Sequence, residues 1–283
     1  MSVVAYIDGS QFSESIALHA AWASRQLGVP VLLVHLLEES VDIGLLDEEY
    51  FSPGRLVSPD PVYGAAQDSS SIASSDATED ARALLIDVAR AIRDNGGEHV
   101  RTHVDYGTLE SHIREHAQDA SLIVVGKRGE RSSWKRGDLG SHLEGALRAA
   151  RSPVLIAPSE PQEIRRFLFA FDGGAHSGDA VRYLAENPLL RGCSGTLLLA
   201  GDRPEVQQQL QDAASRLRRA GYDVQEEIVR GDPETVIPDI LNAEEIDLLV
   251  MGAFGHSRIR EILGGSMTLR LLRSSTKAIL AVR

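Results

Sequence analysis

The sequence predicts an α/β protein built from two tandem doubly wound domains. Short apolar runs alternate along the chain with segments of helical spacing, which is typical of a parallel sheet covered by helices on both faces. Most of these runs stop at a glycine or an aspartate. The same order of runs then occurs a second time within the 283 residues, a length that accommodates two domains.

An apolar strand over residues 3–7 opens the chain and stops at Asp8. A helix is predicted over residues 13–27, because apolar residues recur there at helical spacing and Gly28 follows as a C-terminal cap. A second buried strand over residues 30–36 completes a β–α–β unit.

Residues 38–77 interrupt the alternation with three prolines, an acidic cluster and two runs of serine. A segment of this composition buries little apolar surface, and we expect a long, partly mobile excursion. The next helix is predicted to begin at Asp76 or Thr78 and to end near Asp94, before two consecutive glycines.

The remaining elements of the first half continue the pattern, and the second half repeats it. In the first half, strands are predicted over residues 100–104, 122–125 and 153–157, and helices over residues 109–117 and 141–150. In the second half, strands are predicted over residues 167–171, 196–200, 224–229, 248–252 and 278–282, and a helix over residues 204–219.

The register between the halves identifies the excursion as an insertion. Asp172 matches Asp8 at an offset of 164 residues, whereas Gly231 matches Gly107 at an offset of 124 residues. The difference of 40 residues equals the length of the excursion, which the second half lacks. We therefore place the domains at residues 1–158 and 166–283, with a linker over residues 158–165.

Composition and charge exclude several classes of protein. A net charge of −12 argues against a non-specific nucleic-acid binder, which is normally basic. No apolar run approaches the roughly 20 residues of a membrane span, and the amino terminus lacks the basic region of a signal peptide. Cys193 is the one cysteine, so no intrachain disulfide can form. These observations predict a cytoplasmic protein.

The strand over residues 248–252 leads into the motif Gly252-x2-Gly255-x9-Gly265-Ser266. Glycines in such a loop let backbone N–H groups approach phosphate oxygens, and a following helix adds its own unpaired N–H groups. Ser266 offers a hydroxyl at the predicted N-cap. The motif predicts an anion site, although the same glycines would also suit a simple chain reversal.

Asp172 follows another strand of the second half, and the carboxyl ends of parallel strands meet at one edge of a sheet. Its carboxylate suits a magnesium ion or a ribose hydroxyl beside the phosphates. Alternatively, it only forms the turn before Gly173 and Gly174. Three basic residues of the loop either lie over the phosphates or form a solvated face: His256, Arg258 and Arg260.

The equivalent loop of the first half differs. Gly126-x2-Gly129 is followed by Gly140-Ser141, but the spacer holds ten residues instead of nine. Residues 127–136, which we call the basic loop, contain five lysines and arginines. The basic loop could bind a polyanion, an acidic lipid head group, an acidic small molecule or a protein partner. Alternatively, it is a solvated loop, or it pairs with the acidic excursion.

His112 and His116 are four residues apart on a predicted helix, a spacing that can chelate zinc. The sequence indicates no third ligand, so two surface histidines are the favoured interpretation. His99 and His103 would lie about 13 Å apart on a strand, too far for one metal ion.

Several enzyme signatures are absent from the sequence. It contains no Gly-x4-Gly-Lys-Ser/Thr loop, no Gly-x-Gly-x-x-Gly fingerprint and no Gly-x-Ser-x-Gly elbow. No residue is evidently placed as a base that activates water. We therefore expect a binding protein, with slow hydrolysis at the anion site as the upper limit of its activity.

Together these features resemble the universal stress protein family in its tandem two-domain form. The resemblance covers the chain apart from residues 38–77, and its most specific part is the Gly252-x2-Gly255-x9-Gly265-Ser266 motif, which matches the family's ATP-binding pattern. It implies five-stranded parallel sheets of order 3-2-1-4-5, whose last strands pair in an intramolecular pseudo-dimer. It also implies an ATP-binding, cytoplasmic protein of the stress response, and the Asp172 carboxylate would then suit Mg²⁺ beside the nucleotide.

The resemblance further implies partners and residue roles. The partners would be an adenine nucleotide and a protein, for a monomeric pseudo-dimer or a homodimer, and ATP hydrolysis would be slow if it occurs. Asp172 and Gly173 would lie near the nucleotide, the backbone of Leu199 and Ala200 near adenine, and Gly252 near the ribose. The residues near the phosphates would be Gly255, Gly265, Ser266, Met267 and Thr268. A degenerate first-half site would contain Asp8, Ser10, Val34, Gly126, Gly129, Gly140 and Ser141.

Overall fold

The computed structural model describes residues 1–37, 67–97, 99–127, 141–243, 245–252 and 275–283. The strands within these ranges are β1 (Val3–Tyr6), β2 (Val31–Leu37), β3 (Val100–Tyr106), β4 (Leu122–Gly126), β5 (Val154–Ala157), β6 (Arg166–Ala170), β7 (Ser194–Ala200), β8 (Asp223–Val229), β9 (Leu248–Gly252) and β10 (Ala278–Val282). The helices are α1 (Ser13–Leu27), α2 (Gln67–Asp94), α3 (Leu109–His116), α4 (Ser141–Ala149), α5 (Ala175–Glu186), α6 (Pro204–Arg219) and α7 (Pro233–Ala243).

The strands form one ten-stranded sheet in the order β3-β2-β1-β4-β5-β10-β9-β6-β7-β8. Neighbours within each half pair in parallel, so each half has the order 3-2-1-4-5. The predicted fold class is confirmed. The domain limits of 1–158 and 166–283 stay a prediction.

The two halves meet where β5 pairs with β10 in antiparallel orientation. Ile156 lies opposite Ile279, Leu155 opposite Leu280, and the whole of both strands is buried. The last strands of the two halves therefore pair within one molecule, as the expected pseudo-dimer requires.

Two hydrophobic cores cover the two faces of the sheet, because successive strand residues point to opposite faces. One core packs α1, α2, α5 and α6 on residues such as Leu155 and Leu280. The other packs α3, α4 and α7 on residues such as Ile156 and Ile279. Each core contains residues of both halves, so apolar packing is continuous across the junction.

The bounds of α1, α6 and β10 agree with the prediction, but the predicted start of α2 at Asp76 or Thr78 is wrong. Helix α2 begins at Gln67, inside the segment that we expected to be an excursion. Neither glycine nor proline occurs between residues 65 and 95, and serine in a helix costs only about 0.5 kcal/mol relative to alanine. The rest of the expected excursion lies outside the described residues.

Helices α5 and α7 are both additions to the predicted elements, and α7 is the less expected of the two. Pro238 lies in its interior, where proline removes a backbone hydrogen bond and argues against a helix. Val236, Ile237 and Leu241 are nevertheless buried against the sheet, and this packing outweighs the unfavourable propensity. Within the described ranges, no helix is long and apolar enough to cross a membrane.

We expect Leu155→Ala to lower the free energy of unfolding by about 2–5 kcal/mol, because Leu155 is fully buried at the junction and its truncation leaves a cavity. Both halves should unfold in one transition, since both cores cross the junction. Urea denaturation followed by circular dichroism measures this change.

Ile86→Ala is the matched control, because Ile86 is 56% exposed on α2 and its truncation should change stability by no more than about 0.5 kcal/mol. Equal losses in the two variants, or two separate transitions for the halves, would contradict this description of the junction.

Candidate functional site

The topological switch point of the second half lies at the carboxyl ends of β6 and β9, and β7 flanks β6 on its other side. Strand β6 pairs with β7 on one side and β9 on the other, and Ala170 is its last paired residue on both sides. Strand β7 continues past that level through Leu199 and Ala200, which pair only with β8. In open α/β sheets, ligands bind beyond the strand ends at such a switch point, and we call the carboxyl ends of β6, β7 and β9 the candidate crevice.

Asp172 lies at the mouth of this crevice and holds the start of α5. Its Oδ1 accepts a hydrogen bond from the Gly174 N–H at 2.8 Å and another from the Ser177 hydroxyl. The Asp172 N–H in turn donates to Ser177 Oγ at 3.2 Å. Asp172 therefore forms the turn before α5, which is one of the two roles that the sequence suggests for it. The residue is nevertheless exposed to solvent.

Gly173 has a structural reason for being glycine. Its φ of 73° lies in the left-handed region, and a β-carbon there would lie 2.5 Å from Val206 Cγ1. Gly9 occupies the same position in the first half with a φ of 78°. The turn geometry is therefore duplicated along with the strands.

Gly252, at the end of β9, is packed against the first turn of α5. A β-carbon on Gly252 would lie 2.4 Å from the carbonyl carbon of His176 and 2.6 Å from the backbone nitrogen of Ser177. The missing side chain lets the helix start directly over the strand end. The Asp172 turn and the entrance of the second-half glycine loop are thus brought together, although 80 residues separate them in sequence.

The end of β7 completes the described part of the crevice. Leu199 and Ala200 are both buried, and the Gly201 N–H then donates to the Val229 carbonyl oxygen at 2.9 Å. Arg203 donates from Nη1 to the Asp172 carbonyl oxygen at 3.1 Å.

Ser177 and Arg203 are therefore parts of the site that the predicted set omits. Ser177 could have been found from its match with Ser13, whereas no sequence signal distinguishes Arg203 from the other surface arginines.

Most of the predicted phosphate contacts lie beyond the described ranges. These residues are Gly255, His256, Arg258, Gly265, Ser266, Met267 and Thr268. Their roles, like the nucleotide contacts of Asp172, Gly173, Leu199, Ala200 and Gly252, stay predictions.

The Asp8 turn of the first half is held differently from its counterpart. The Ser10 N–H donates to Asp8 Oδ1 at 3.0 Å, and the Phe12 N–H donates to Ser10 Oγ at 3.3 Å. Ser13, which is equivalent to Ser177, is buried, and its hydroxyl has no hydrogen-bond partner in the part of the chain that the structure describes. The interaction between aspartate and helix serine is therefore a feature of the second half.

The other predicted first-half residues lie at strand and helix ends. Val34 is buried opposite Tyr6, Gly126 closes β4 opposite Ala157, and Ser141 is the first residue of α4. Gly129 and Gly140 lie outside the described residues, as does most of the basic loop.

Lys127 starts the basic loop and contacts the other half of the molecule. Its Nζ donates to the Ser275 carbonyl oxygen at 2.5 Å, just before β10. This end of the basic loop is thus bonded within the chain, and the role of the loop stays a prediction.

The interpretation of His112 and His116 as two surface histidines is wrong for His112. His112 is 6% exposed and is bonded through Nδ1 to the Tyr6 hydroxyl at 2.9 Å. It also lies beside His103 and Asp105, which the strand spacing places on one face of β3. The sequence could not show this contact, because 106 residues separate Tyr6 from His112.

A cavity of about 600 Å³ lies between α1, the linker and the turn before β7, away from the crevice. Cys193 lines it, and the Cys193 thiol donates to the Ile164 carbonyl oxygen at 3.3 Å. Burial raises the pKa of the Cys193 thiol, which favours its protonated and unreactive form. None of the lining residues belongs to the candidate site.

Comparison with known proteins gives a consistent result over both halves. The chain matches the sequence model of the Universal stress protein family at residues 55–158 and 192–283. A universal stress protein of Synechocystis sp. is 27% identical over 279 residues, covering 98% of this chain and 97% of that protein. The crystal structure of a universal stress protein from Archaeoglobus fulgidus has a TM-score of 0.70 and 19% identity, covering 99% and 97% of the two chains. The likeness to that structure concerns the fold.

We expect Gly252→Ala to lower the free energy of unfolding by about 1–3 kcal/mol, because the new methyl group must displace the first turn of α5. Gly178→Ala is the matched control: a β-carbon at Gly178, within α5, meets nothing within 4 Å. This substitution should stabilise the protein by up to about 1 kcal/mol. Urea denaturation measures both variants, and a Gly252→Ala protein as stable as wild type would contradict the close packing.

Proposed function

The chain belongs to the universal stress protein family, and we propose that it binds ATP or a related adenine nucleotide in the crevice of the second half. One observation carries this proposal: the Asp172 turn and Gly252 adjoin at the switch point of the sheet. The Gly252-x2-Gly255-x9-Gly265-Ser266 motif starts from that same position. A phosphate loop that begins beside an exposed carboxylate suits a nucleotide better than a simple anion.

Each part of the crevice would contact a different part of the nucleotide. The backbone of Leu199 and Ala200 extends past β6, so its polar groups would pair with the adenine edge. Asp172 would accept a hydrogen bond from a ribose hydroxyl or contact Mg²⁺ on the phosphates. Glycine N–H groups and Ser266 would bind the phosphates, with His256 and Arg258 adding positive charge.

We further propose that the nucleotide acts mainly as a ligand that sets conformation or assembly. It would touch the ends of β6, β7 and β9 and so join segments that are distant in sequence. A ligand that binds only the folded protein stabilises it by about 2.7 kcal/mol at a concentration of 100 times Kd. Because β9 pairs with β10, this stabilisation would extend to the junction with the first half.

The first half, in this proposal, is a degenerate copy without tight nucleotide binding. Its glycine spacer is one residue longer, and its Asp8 turn lacks the helix serine contact seen at Asp172. We further propose that the protein acts in the cytoplasm, in the stress response. It would be either a monomer with its two halves paired as a pseudo-dimer or a homodimer of such chains.

Calorimetric titration with Mg-ATP tests the nucleotide proposal. Wild type should bind one nucleotide, and Gly255→Val combined with Gly265→Val should abolish detectable binding, because the side chains block the approach of phosphate to the backbone. The matched control carries Gly129→Val and Gly140→Val in the first-half loop and should bind as wild type does.

Two results would contradict the proposal: no binding by wild type, or equal binding by the two double variants. Mass spectrometry of the ligand released from unsupplemented protein then distinguishes ATP from ADP and AMP. A phosphate-release assay separately tests slow hydrolysis, which should disappear in the second-half double variant if it occurs at this site.

A further inference from the structure

Three potential metal ligands converge on one face of the first half, far in sequence from the second-half glycine loop. His103 and Asp105 lie two residues apart on β3, and His112 lies on α3, which packs over that face. Asp105 Oδ2 lies 3.5 Å from His112 Nε2 and 3.7 Å from His103 Nε2. One ligand atom from each residue falls within 4.8 Å of the others.

These separations are close to those of a bound transition metal. Tetrahedral zinc with bonds of about 2.0–2.1 Å holds its ligand atoms about 3.4 Å apart. The side chains of His103 and Asp105 are partly exposed, so small rotations can bring their ligand atoms closer. The buried His112 would be the fixed member of the set.

The surroundings of His112 orient it as a ligand. Its Nδ1 is bonded to the Tyr6 hydroxyl at 2.9 Å, and its Nε2 faces Asp105. Ligating histidines usually form such a second bond through the other ring nitrogen, which sets the tautomer and the ring orientation.

The second half provides an internal comparison that argues against a purely structural role. By the same register offsets, the residues equivalent to His103, Asp105, His112 and Tyr6 are Glu227, Val229, Val236 and Ala170. Val236 is buried in α7, and Val229 and Ala170 pack against the core. The fold therefore accepts aliphatic side chains at three of these four positions, and the polar set is particular to the first half.

We propose that His103, Asp105 and His112 bind one Zn²⁺ ion, or a similar divalent transition metal, with the fourth position open to water. Two imidazoles and a carboxylate suit zinc, whereas magnesium prefers oxygen ligands alone. The ion would join the edge strand β3 to α3 and, through Tyr6, to the central strand β1. It would thereby stabilise an outer edge of the sheet that the nucleotide does not contact.

Titration of the metal-free protein with Zn²⁺ against a chromophoric chelator tests this site. Wild type should bind one ion, and Co²⁺ in place of Zn²⁺ should give the visible spectrum of a site with nitrogen and oxygen ligands. His112→Val, which copies the residue of the second half, should weaken binding at least about 100-fold. Asp105→Asn should weaken binding too, and Tyr6→Phe should weaken it about 10-fold through the lost outer bond.

His99→Asn is the matched control. His99 is exposed, lies outside the three-residue set and has a φ of 53°, which asparagine tolerates. This variant and the Gly255→Val, Gly265→Val protein should both bind Zn²⁺ as wild type does, which separates this proposal from the nucleotide proposal.

Two outcomes would overturn the proposal. One is the absence of stoichiometric Zn²⁺ binding by wild type. The other is wild-type affinity in both His112→Val and Asp105→Asn, with circular dichroism showing that the variants are folded, because binding would then come from other surface histidines.

Discussion

The antiparallel pairing of β5 with β10 is the constraint on which the rest of the structure depends. Both strands are apolar on both faces, so as sheet edges each would leave apolar surface and unpaired backbone groups in water. Their pairing removes two such edges at once and lets both cores run through the whole sheet. Because this pairing is antiparallel, the strands of the first half end at one edge of the sheet and the strands of the second half end at the opposite edge.

A second constraint is the close approach of α5 to the end of β9. Because Gly252 has no side chain, the backbone of His176 and Ser177 packs directly on it. Ser177 in turn holds Asp172 through its hydroxyl, so one helix start positions both the acidic turn and the entrance of the glycine loop. A ligand bound at the switch point would be held by elements that the sheet topology already brings together.

The two halves keep the same backbone plan but differ in the chemistry of their side chains. The left-handed glycine after the first strand occurs in both, since the turn requires it. The aspartate is bonded to a helix serine only in the second half, and the His103, Asp105 and His112 set belongs only to the first. The two halves therefore share equivalent switch points and equivalent sheet faces, whereas the side chains at these places differ between them.

The sequence by itself determined the strand–helix alternation, the duplication and the limits of α1, α6 and β10, because hydrophobic period and glycine caps are local signals. It did not determine α7, where packing against the sheet outweighs the unfavourable Pro238. It did not determine the early start of α2 either, where the serine-rich segment contains no helix breaker and is helical. Only the tertiary structure decided that Gly252 adjoins Ser177 and that His112 contacts Tyr6 and Asp105. These contacts join residues on different strands and helices. The distances between such residues depend on sheet order and helix placement rather than on local sequence spacing.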